Sequence, residues 1–390
     1  MDNLSINDIS FSPKNAELEN NWRRLCDKMP PHGLSMTYTW FKSSAESCLT
    51  FSLKTNLLEI KDEDTDKVVG LIPYTKKAER IYHFFDVSSI YLMHLYQEYG
   101  DHYGLLIDPE YYLPTIKLLA AWIKKNDFDL CFMNNMHVDM KITSLIRFNR
   151  QLPLLTLINQ KIPISCIWLP TESKYKEWST GRFQRITRYK RKLEKSFEVE
   201  YCKIEKQTEI PDLLHHYQLM HSARFNNKGT VSSVCSDPIQ FHFLERLVYN
   251  AFEAGILMGN YTKLNGKIAS VEISFRLGTK LFAYTAAFDE TYAKFRIGSI
   301  QTLVMLEKAV AHGIDVIDLL QGDEGYKRHW SQSINFDFNL LLFPKTFYGY
   351  FLFFVTLFRV PLRHLYQTAL YLKAVFMKVV RFYSPREVRV

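Results

Sequence analysis

The stretch LMGNYTKLNGKIASVEISFRLGTKLFAYTAA, residues 257–287, decides the reading of the chain. Leu257–Leu264 and Lys267–Phe275 are strand-like runs joined by Asn265-Gly266. Asn-Gly is the preferred pair for a two-residue type I′ turn, because both positions need positive φ. A second turn, Leu277-Gly278-Thr279, leads into Lys280–Ala287, so the stretch reads as a three-stranded meander. Downstream, Ile300, Leu303, Val304, Leu306, Val310 and Ala311 share one broad face of Gly298–His312, which makes it a helix with Gly313 at its C′ position. Glu307 falls inside that face and breaks the pattern. Val316–Leu320 and Asn335–Phe343 are further strands, separated by a loop over Gln321–Ser333. Antiparallel strands followed by helix, strand, loop and strand predict an α/β (α+β) mixed sheet with helices packed on it.

Working outward, Phe183, Ile186, Lys190, Leu193 and Phe197 fall at a/d-like spacing, so Arg182–Phe197 is a helix with an apolar seam and a basic outer face. Asp212–Arg224 and Ile239–Ala254 are two more helices. The first half has a similar layout, more faintly. Leu57–Lys61 and Lys67–Tyr74 are strands around the acidic turn Asp62–Asp66. Tyr103–Ile107 is a short strand closed by Asp108-Pro109, Pro114–Lys125 is a helix, and Phe128–Met133 is strand-like. The first thirty residues are polar and end in the loop signal Pro30-Pro31-His32-Gly33. Gln151–Leu169, with Pro153 and Pro163, reads as a crossover, which divides the chain into 1–165, 166–343 and a tail, 344–390.

The 390 residues leave room for two or three domains, and 47% apolar and 15% aromatic residues exclude global disorder. Six cysteines at 26, 48, 131, 166, 202 and 235 form no CxxC pair and no cluster with histidine. A disulfide scaffold or zinc module is therefore not expected, and neither is a metal cofactor. The start, MDNLSINDIS, does not read as a secretory signal, so the expected location is cytoplasmic. Metalloprotease, NTPase and serine-hydrolase motifs are missing from the sequence.

The net charge of +8 is unevenly placed. Residues 345–390 hold eight Lys/Arg against Glu387 alone, which leaves the rest near neutral. A second excess, seven Lys/Arg against Glu194, lies at Arg182–Lys195. Global nucleic-acid binding is not the first explanation of this pattern. Thr346–Phe358 is thirteen residues without a charge, seven of them aromatic. That is too short for a membrane span of roughly 20 residues. Beyond Pro361, Leu362, Leu365, Tyr366, Ala369, Leu372, Phe376 and Val379 share a helical face, with Arg363, Gln367, Lys378 and Arg381 mostly opposite. Residues 346–381 suit the inner face of an anionic membrane. Docking on the protein's own core, or a dimer interface, would use the same features.

The segment from Gly266-Lys-Ile-Ala-Ser through Tyr284-Thr-Ala-Ala-Phe-Asp289, then Gly298, Gly313-Ile-Asp-Val-Ile-Asp318 and Gly322-Asp-Glu-Gly-Tyr326-Lys327-Arg-His-Trp330, resembles the GNAT acyltransferase superfamily. Within it, the chain resembles the double-lobed branch of Fem-like aminoacyltransferases and CelD-type proteins of polysaccharide biosynthesis. His221-Ser-Ala-Arg224 and the basic helix fit as well, and Val69-Gly-Leu-Ile-Pro73 with Tyr103–Pro109 gives a weaker match in the first half. The resemblance implies two GNAT-like lobes, each a mixed, mostly antiparallel sheet with flanking helices, plus a helical tail. It also implies a donor, acetyl-CoA or another acyl-CoA, and an acceptor amine or hydroxyl on an amino sugar or glycan precursor. The superfamily's phosphate signature, Arg/Gln-x-x-Gly-x-Gly/Ala, is represented here by Gly298 alone. An aminoacyl-tRNA donor, an acyl carrier protein, or a non-catalytic membrane-associated scaffold are the alternatives.

The residues suggest roles of their own. Glu272, flanked by apolar residues in Ser270–Ser274, is a candidate base whose pKa burial would raise; the other reading is a polar side chain on an open edge strand. Tyr284 is a candidate acid toward a leaving thiolate, or core, and Asp289 a further catalytic candidate, or the end of a strand. The helix start Gly298–Ser299–Ile300 offers free N–H groups and the positive dipole end to an anion, with Lys294 and Arg296 beside it. It could equally be an ordinary turn. His221 and Arg224 share a helical face, and Arg224 suits an anionic acceptor. Asp318, Tyr326 and Lys327 are a second candidate substrate-binding cluster, the last two on a loop made pliable by Gly322 and Gly325, with Trp330 packing; the other reading is a structural role for the whole loop, closing the sheet's end. Arg182–Lys195 would track CoA phosphates, tRNA or headgroups, or be a solvated face.

Overall fold

Asn265 and Gly266 take φ of 50° and 77°, and the strands they join pair antiparallel with Lys267 opposite Leu264, as the Asn-Gly pair predicts. Around this hairpin the computed structural model, which describes residues 3–12, 15–29, 32–96, 100–137, 154–322 and 324–358, builds one continuous mixed sheet. The first half supplies β1 (Leu4–Ser10), β2 (Asn56–Asp62), β3 (Lys67–Ile81), β4 (Phe85–Leu92), the short β5 (Leu106–Ile107) and β6 (Leu130–His137). β7 (Leu154–Trp168) begins before the boundary between the halves, and the second half supplies β8 (Val199–Lys203), β9 (Asn260–Leu264), β10 (Lys267–Leu277), β11 (Lys280–Phe288), β12 (Val316–Gln321) and β13 (Ser333–Pro344). The order is β1-β2-β3-β4-β6-β13-β7-β12-β11-β10-β9-β8, with β5 on β3.

Each lobe follows one plan. Four antiparallel strands are followed by a fifth that runs parallel to the fourth: β6 beside β4, and β12 beside β11. The closing strands are exchanged. β13, from the end of the second half, pairs with β6, while β7 pairs with β12, and β7 and β13 run antiparallel along the centre. The boundary at 165/166 falls inside β7, so each lobe's sheet is completed by chain next to the other.

Helices cover both faces. The apolar face of Ile297–Ala311 packs with Leu281, Ile317 and the seam Phe183, Ile186 and Leu193 of the basic helix, Gln184–Ser196. Glu307 has its explanation there: its carboxylate accepts from Lys190 Nζ at 2.8 Å, pinning the two helices together. On the other face, Ile210–Asn227 and Pro238–Glu253 cover Val271, Ile273 and Phe275. Pro238–Glu253 also packs on the first-half helix Tyr38–Thr50, where Arg246 meets Glu46 at 2.8 Å.

Several expectations need correction. The polar first thirty residues contain β1 and the helix Ala16–Lys28, in which Leu18, Trp22 and Leu25 at i, i+4 and i+7 are enough to bury one side. Tyr103–Ile107 reduces to the two-residue β5, and the loop over Gln321–Ser333 contains the helix Gly325–Trp330. In the tail, residues 347–358 form a helix that docks through Leu352 on Val87, Leu341 and Phe343. The apolar face reaching from Leu362 to Val379 lies outside the described residues.

Because β7 and β13 are exchanged, neither lobe can unfold without stripping the other of a strand. We expect a single calorimetric transition, and Leu340→Ala, in a fully buried site, to lower the stability of the whole molecule by about 2–5 kcal/mol. Two resolved transitions, with the substitution moving only one, would contradict this.

Candidate active site

β11 and β12 pair over only three positions, Lys280 with Val316 to Phe282 with Asp318, and then part. The wedge between them holds a cavity of about 480 Å³. Its wall includes β10, where Ser270, Glu272 and Ser274 alternate on the face beneath the helix Ile297–Ala311. All three are buried on a central strand, not on an open edge. Ser274 Oγ donates to Glu272 Oε1 at 2.6 Å, and Gln301 Nε2 donates to Oε2 at 3.4 Å. Gln301 is oriented in turn, because its Oε1 accepts from Thr262 and Ser270 at 2.7 and 2.8 Å. Burial pushes Glu272 up to about 7; Ser274, Gln301 and the nearby Lys308 charge pull it down but do not prevail.

The rim is cationic. His221, Arg224 and Lys228 project from the end of Ile210–Asn227 and the residue after it. His221 Nδ1 lies 2.9 Å from Ser232 Oγ, and burial, helped by Arg224 and Lys228, lowers its pKa to about 4, so the ring is neutral near pH 7. The Arg224 guanidinium sits over the Phe288 ring at 5.2 Å. Arg224 and Lys228 have no ion pair among the described residues and are placed to receive an anion. Tyr326 lines the opposite side and is exposed. Lys327 also lines the cavity, but its ammonium is committed to the Leu320 and Gln321 carbonyls and to Glu324 Oε2 at 3.1 Å. With three donors and three acceptors it staples the loop after β12. Tyr284 lines the wall and packs edge-on against Trp40 and Phe275.

The first lobe reaches into this site. Asp101 lines the cavity; its Oδ2 accepts from the Gln321 N–H at 3.1 Å, while its buried Oδ1 has no hydrogen-bond partner among the described residues. Burial raises Asp101 to about 7, against the opposing charge of His102. His102 is clamped between two buried carboxylates, with Nε2 at 2.9 Å from Asp318 Oδ2 and Nδ1 at 3.0 Å from Asp337 Oδ1. Burial opposes its charge, but Asp318 and Asp337 raise it to about 10. Asp318 also pairs with Lys280 at 2.7 Å. It is held well below the usual carboxylate range because His102 and Lys280 outweigh its burial. Asp318 is therefore a structural anion beneath the site, not a group open to substrate. His102, His137 and Asp337 are close enough for a metal, but both His102 nitrogens face carboxylates and have no lone pair to offer.

The remaining predicted residues sit elsewhere. Asp289 caps the short turn Glu290–Phe295 by accepting from the Thr291 N–H at 2.9 Å. Ile300 is in the core, and its N–H already donates to the Arg296 carbonyl at 3.0 Å. The space left by the missing side chain of Gly298 is taken by the Phe288 ring, 2.9 Å from where a Cβ would stand; the glycine admits that ring. Ser299 follows in the first turn, beside the exposed Lys294 and Arg296. The Arg185 and Arg296 guanidinium groups beside Tyr189 lower its pKa, and Lys192 Nζ lies 5.8 Å from the centre of the Phe295 ring, so the basic helix and the Lys294–Arg296 turn form one cationic surface. Asp101, His102 and Gln301 were not anticipated. The available signal was the pair of acids, Asp318 and Asp337, each flanked by apolar residues in its strand, which require a buried cation.

Residues 181–328 match the family model described as an acetyltransferase (GNAT) domain. No curated protein matches the chain. Among solved structures, FemX is 12% identical, with 85% of this chain and 96% of that one covered and a TM-score of 0.54. L-PGS from Bacillus licheniformis is 9% identical over 89% of this chain and 97% of that one, with a TM-score of 0.52. A conserved protein of unknown function from Bacteroides thetaiotaomicron VPI-5482 is 12% identical over 87% and 100%, with a TM-score of 0.51. At these identities the likeness is one of fold. Residues 181–328, most of the second lobe, are thus similar to a GNAT acetyltransferase domain, and the chain as a whole shares its fold with these structures.

Glu272 holds its proton more tightly when folded than when unfolded. It therefore contributes fully below its ordinary value of 4.5, and that contribution is lost as the pH rises through about 7. Urea unfolding across this window should show wild-type stability falling relative to Glu272→Gln by roughly 3 kcal/mol. Parallel curves would show that Glu272 is not the titrating group.

Proposed function

We propose that this protein is an acyltransferase that moves an acyl group from an acyl thioester, acyl-CoA, to an amine or hydroxyl of a polar, anionic acceptor such as an amino sugar or glycan precursor. The observation that carries this reading is the buried Glu272 carboxylate, raised to about 7, on the wall of a cavity with a cationic rim where β11 and β12 part. An acceptor amine arrives protonated at neutral pH and must lose a proton before its lone pair attacks. Glu272, directly or through a water, takes that proton. The N–C bond forms as the C–S bond breaks; the ammonium's first proton leaves through Glu272 to solvent, and the second, shed by the nitrogen as the amide forms, goes to the departing thiolate. Arg224 and Lys228 hold the acceptor's anionic group. Lys294, Arg296 and Arg185 supply the charge for the donor's phosphates. No covalent enzyme intermediate is needed.

The joined cationic surface of the basic helix and the Lys294–Arg296 turn supports a second reading, a tRNA-borne aminoacyl donor. The two donors separate cleanly. With acyl-CoA and an amino-sugar panel, we expect thiol release, with kcat/KM rising through a limb near pH 7 and falling about 10²–10⁴-fold in Glu272→Gln. Acyl-CoA at 100 times its Kd should also stabilise the fold by about 2.7 kcal/mol. Wild-type turnover in Glu272→Gln would remove that residue from the chemistry. A flat melting temperature with every thioester, beside steeply salt-dependent tRNA binding, would establish the second donor.

A further inference from the structure

A helix that docks on a protein normally turns its apolar side inward. The helix at 347–358 is apolar on both sides. Leu352 is fully buried and Tyr348 and Phe353 pack beside it, yet Phe347, Tyr350, Phe351, Phe354, Leu357 and Phe358 are all exposed. Their spacing, i, i+3, i+4, i+7, i+10 and i+11, makes one continuous outward stripe. Phe347 is 93% exposed and the others lie between 41% and 58%. A second element extends it. At the tip of the β3–β4 hairpin, Tyr82 and His83 take positive φ and present Phe84, 81% exposed. This tip is fixed to the helix by a 2.8 Å hydrogen bond between the Tyr82 hydroxyl and Thr356 Oγ1, and by Phe85 edge-on to Phe351.

We infer that this aromatic platform is a docking surface for an anionic lipid bilayer. Two observations choose the occupant. The stripe carries no charge of its own, but the chain that continues from its end, residues 359–390, holds seven Lys/Arg against Glu387, while the molecule before Lys345 is near neutral. The protein's excess positive charge thus begins where the apolar stripe ends, which matches a surface that is both apolar and anionic. A second copy seated on the stripe would bring two such tails together. No helix among the described residues is long and apolar enough to cross a membrane, so the platform lies on the surface, with Phe and Tyr at headgroup depth.

The test is co-sedimentation of the full chain with phosphatidylcholine vesicles and with vesicles containing phosphatidylglycerol. It is independent of any turnover. Binding to the anionic vesicles is expected to exceed that to the neutral ones and to weaken with salt. F347S/F354S/F358S, at exposed sites and with an unchanged melting temperature, is expected to lower the partition coefficient about tenfold or more. K373Q/K378Q/R381Q should remove the preference for the anionic lipid. Failure of the wild type to sediment, or wild-type binding by the serine variant, would overturn the proposal. So would a concentration-dependent dimer that the serine variant dissolves, which would assign the stripe to a second copy.

Discussion

The architecture depends on one buried cation. Asp318 on β12 and Asp337 on β13 are both fully enclosed, and two carboxylates in that position are tolerable only with positive charge between them. His102 supplies it from the other lobe, in a left-handed conformation with φ of 57°. Its own N–H donates to Asp337 Oδ2 at 2.7 Å. Gly33 makes the insertion possible, since a Cβ there would meet His102 Cβ at 2.6 Å and the Asp101 carbonyl at 2.8 Å. The clamp joins three things in one place: the first lobe's loop, the parallel strand at the wedge, and the exchanged strand β13.

Its consequence for the site is positional. With His102 fixed, the preceding residue has little freedom, and Asp101 is delivered to the cavity of the second lobe with one oxygen tied to the end of β12. The cavity therefore has two raised carboxylates of different origin: Glu272 from the strand beneath the helix, and Asp101 from across the lobe boundary. The matched GNAT domain, 181–328, does not include Asp101 or His102, so the first lobe takes part in the site and is not merely attached to it. Lys327, in contrast, spends its charge on the loop's own carbonyls, so the cationic rim rests on Arg224 and Lys228.

Much of the fold was legible in the sequence because its signals are local. Asn265-Gly266 sets a hairpin by φ alone, and the periodicity of 298–312 sets a helix. Glu307 broke that period for a reason that sequence spacing cannot carry: its partner, Lys190, lies 117 residues away. β1 and Ala16–Lys28 were hidden because three buried residues in a polar helix give little contrast. For the site, Glu272 and Arg224 could be picked out by type and context. Asp318 could be noticed but not interpreted, because its partner is His102, 216 residues distant. Gly298 could be read as an anion cradle until the Phe288 ring was seen beside it. For Glu307 and Asp318 the missing information was long-range pairing.

The most direct measurement is the protonation state of the His102 ring, followed by ¹⁵N chemical shifts of the imidazole across neutral and alkaline pH in the intact protein. With a carboxylate on each nitrogen, His102 should remain doubly protonated far above its ordinary value of 6.5 and titrate only near 10, with the fold weakening as that proton is lost. A neutral ring at pH 7, titrating near 6.5 without loss of stability, would contradict the clamp, and with it the account of how the two lobes make one site.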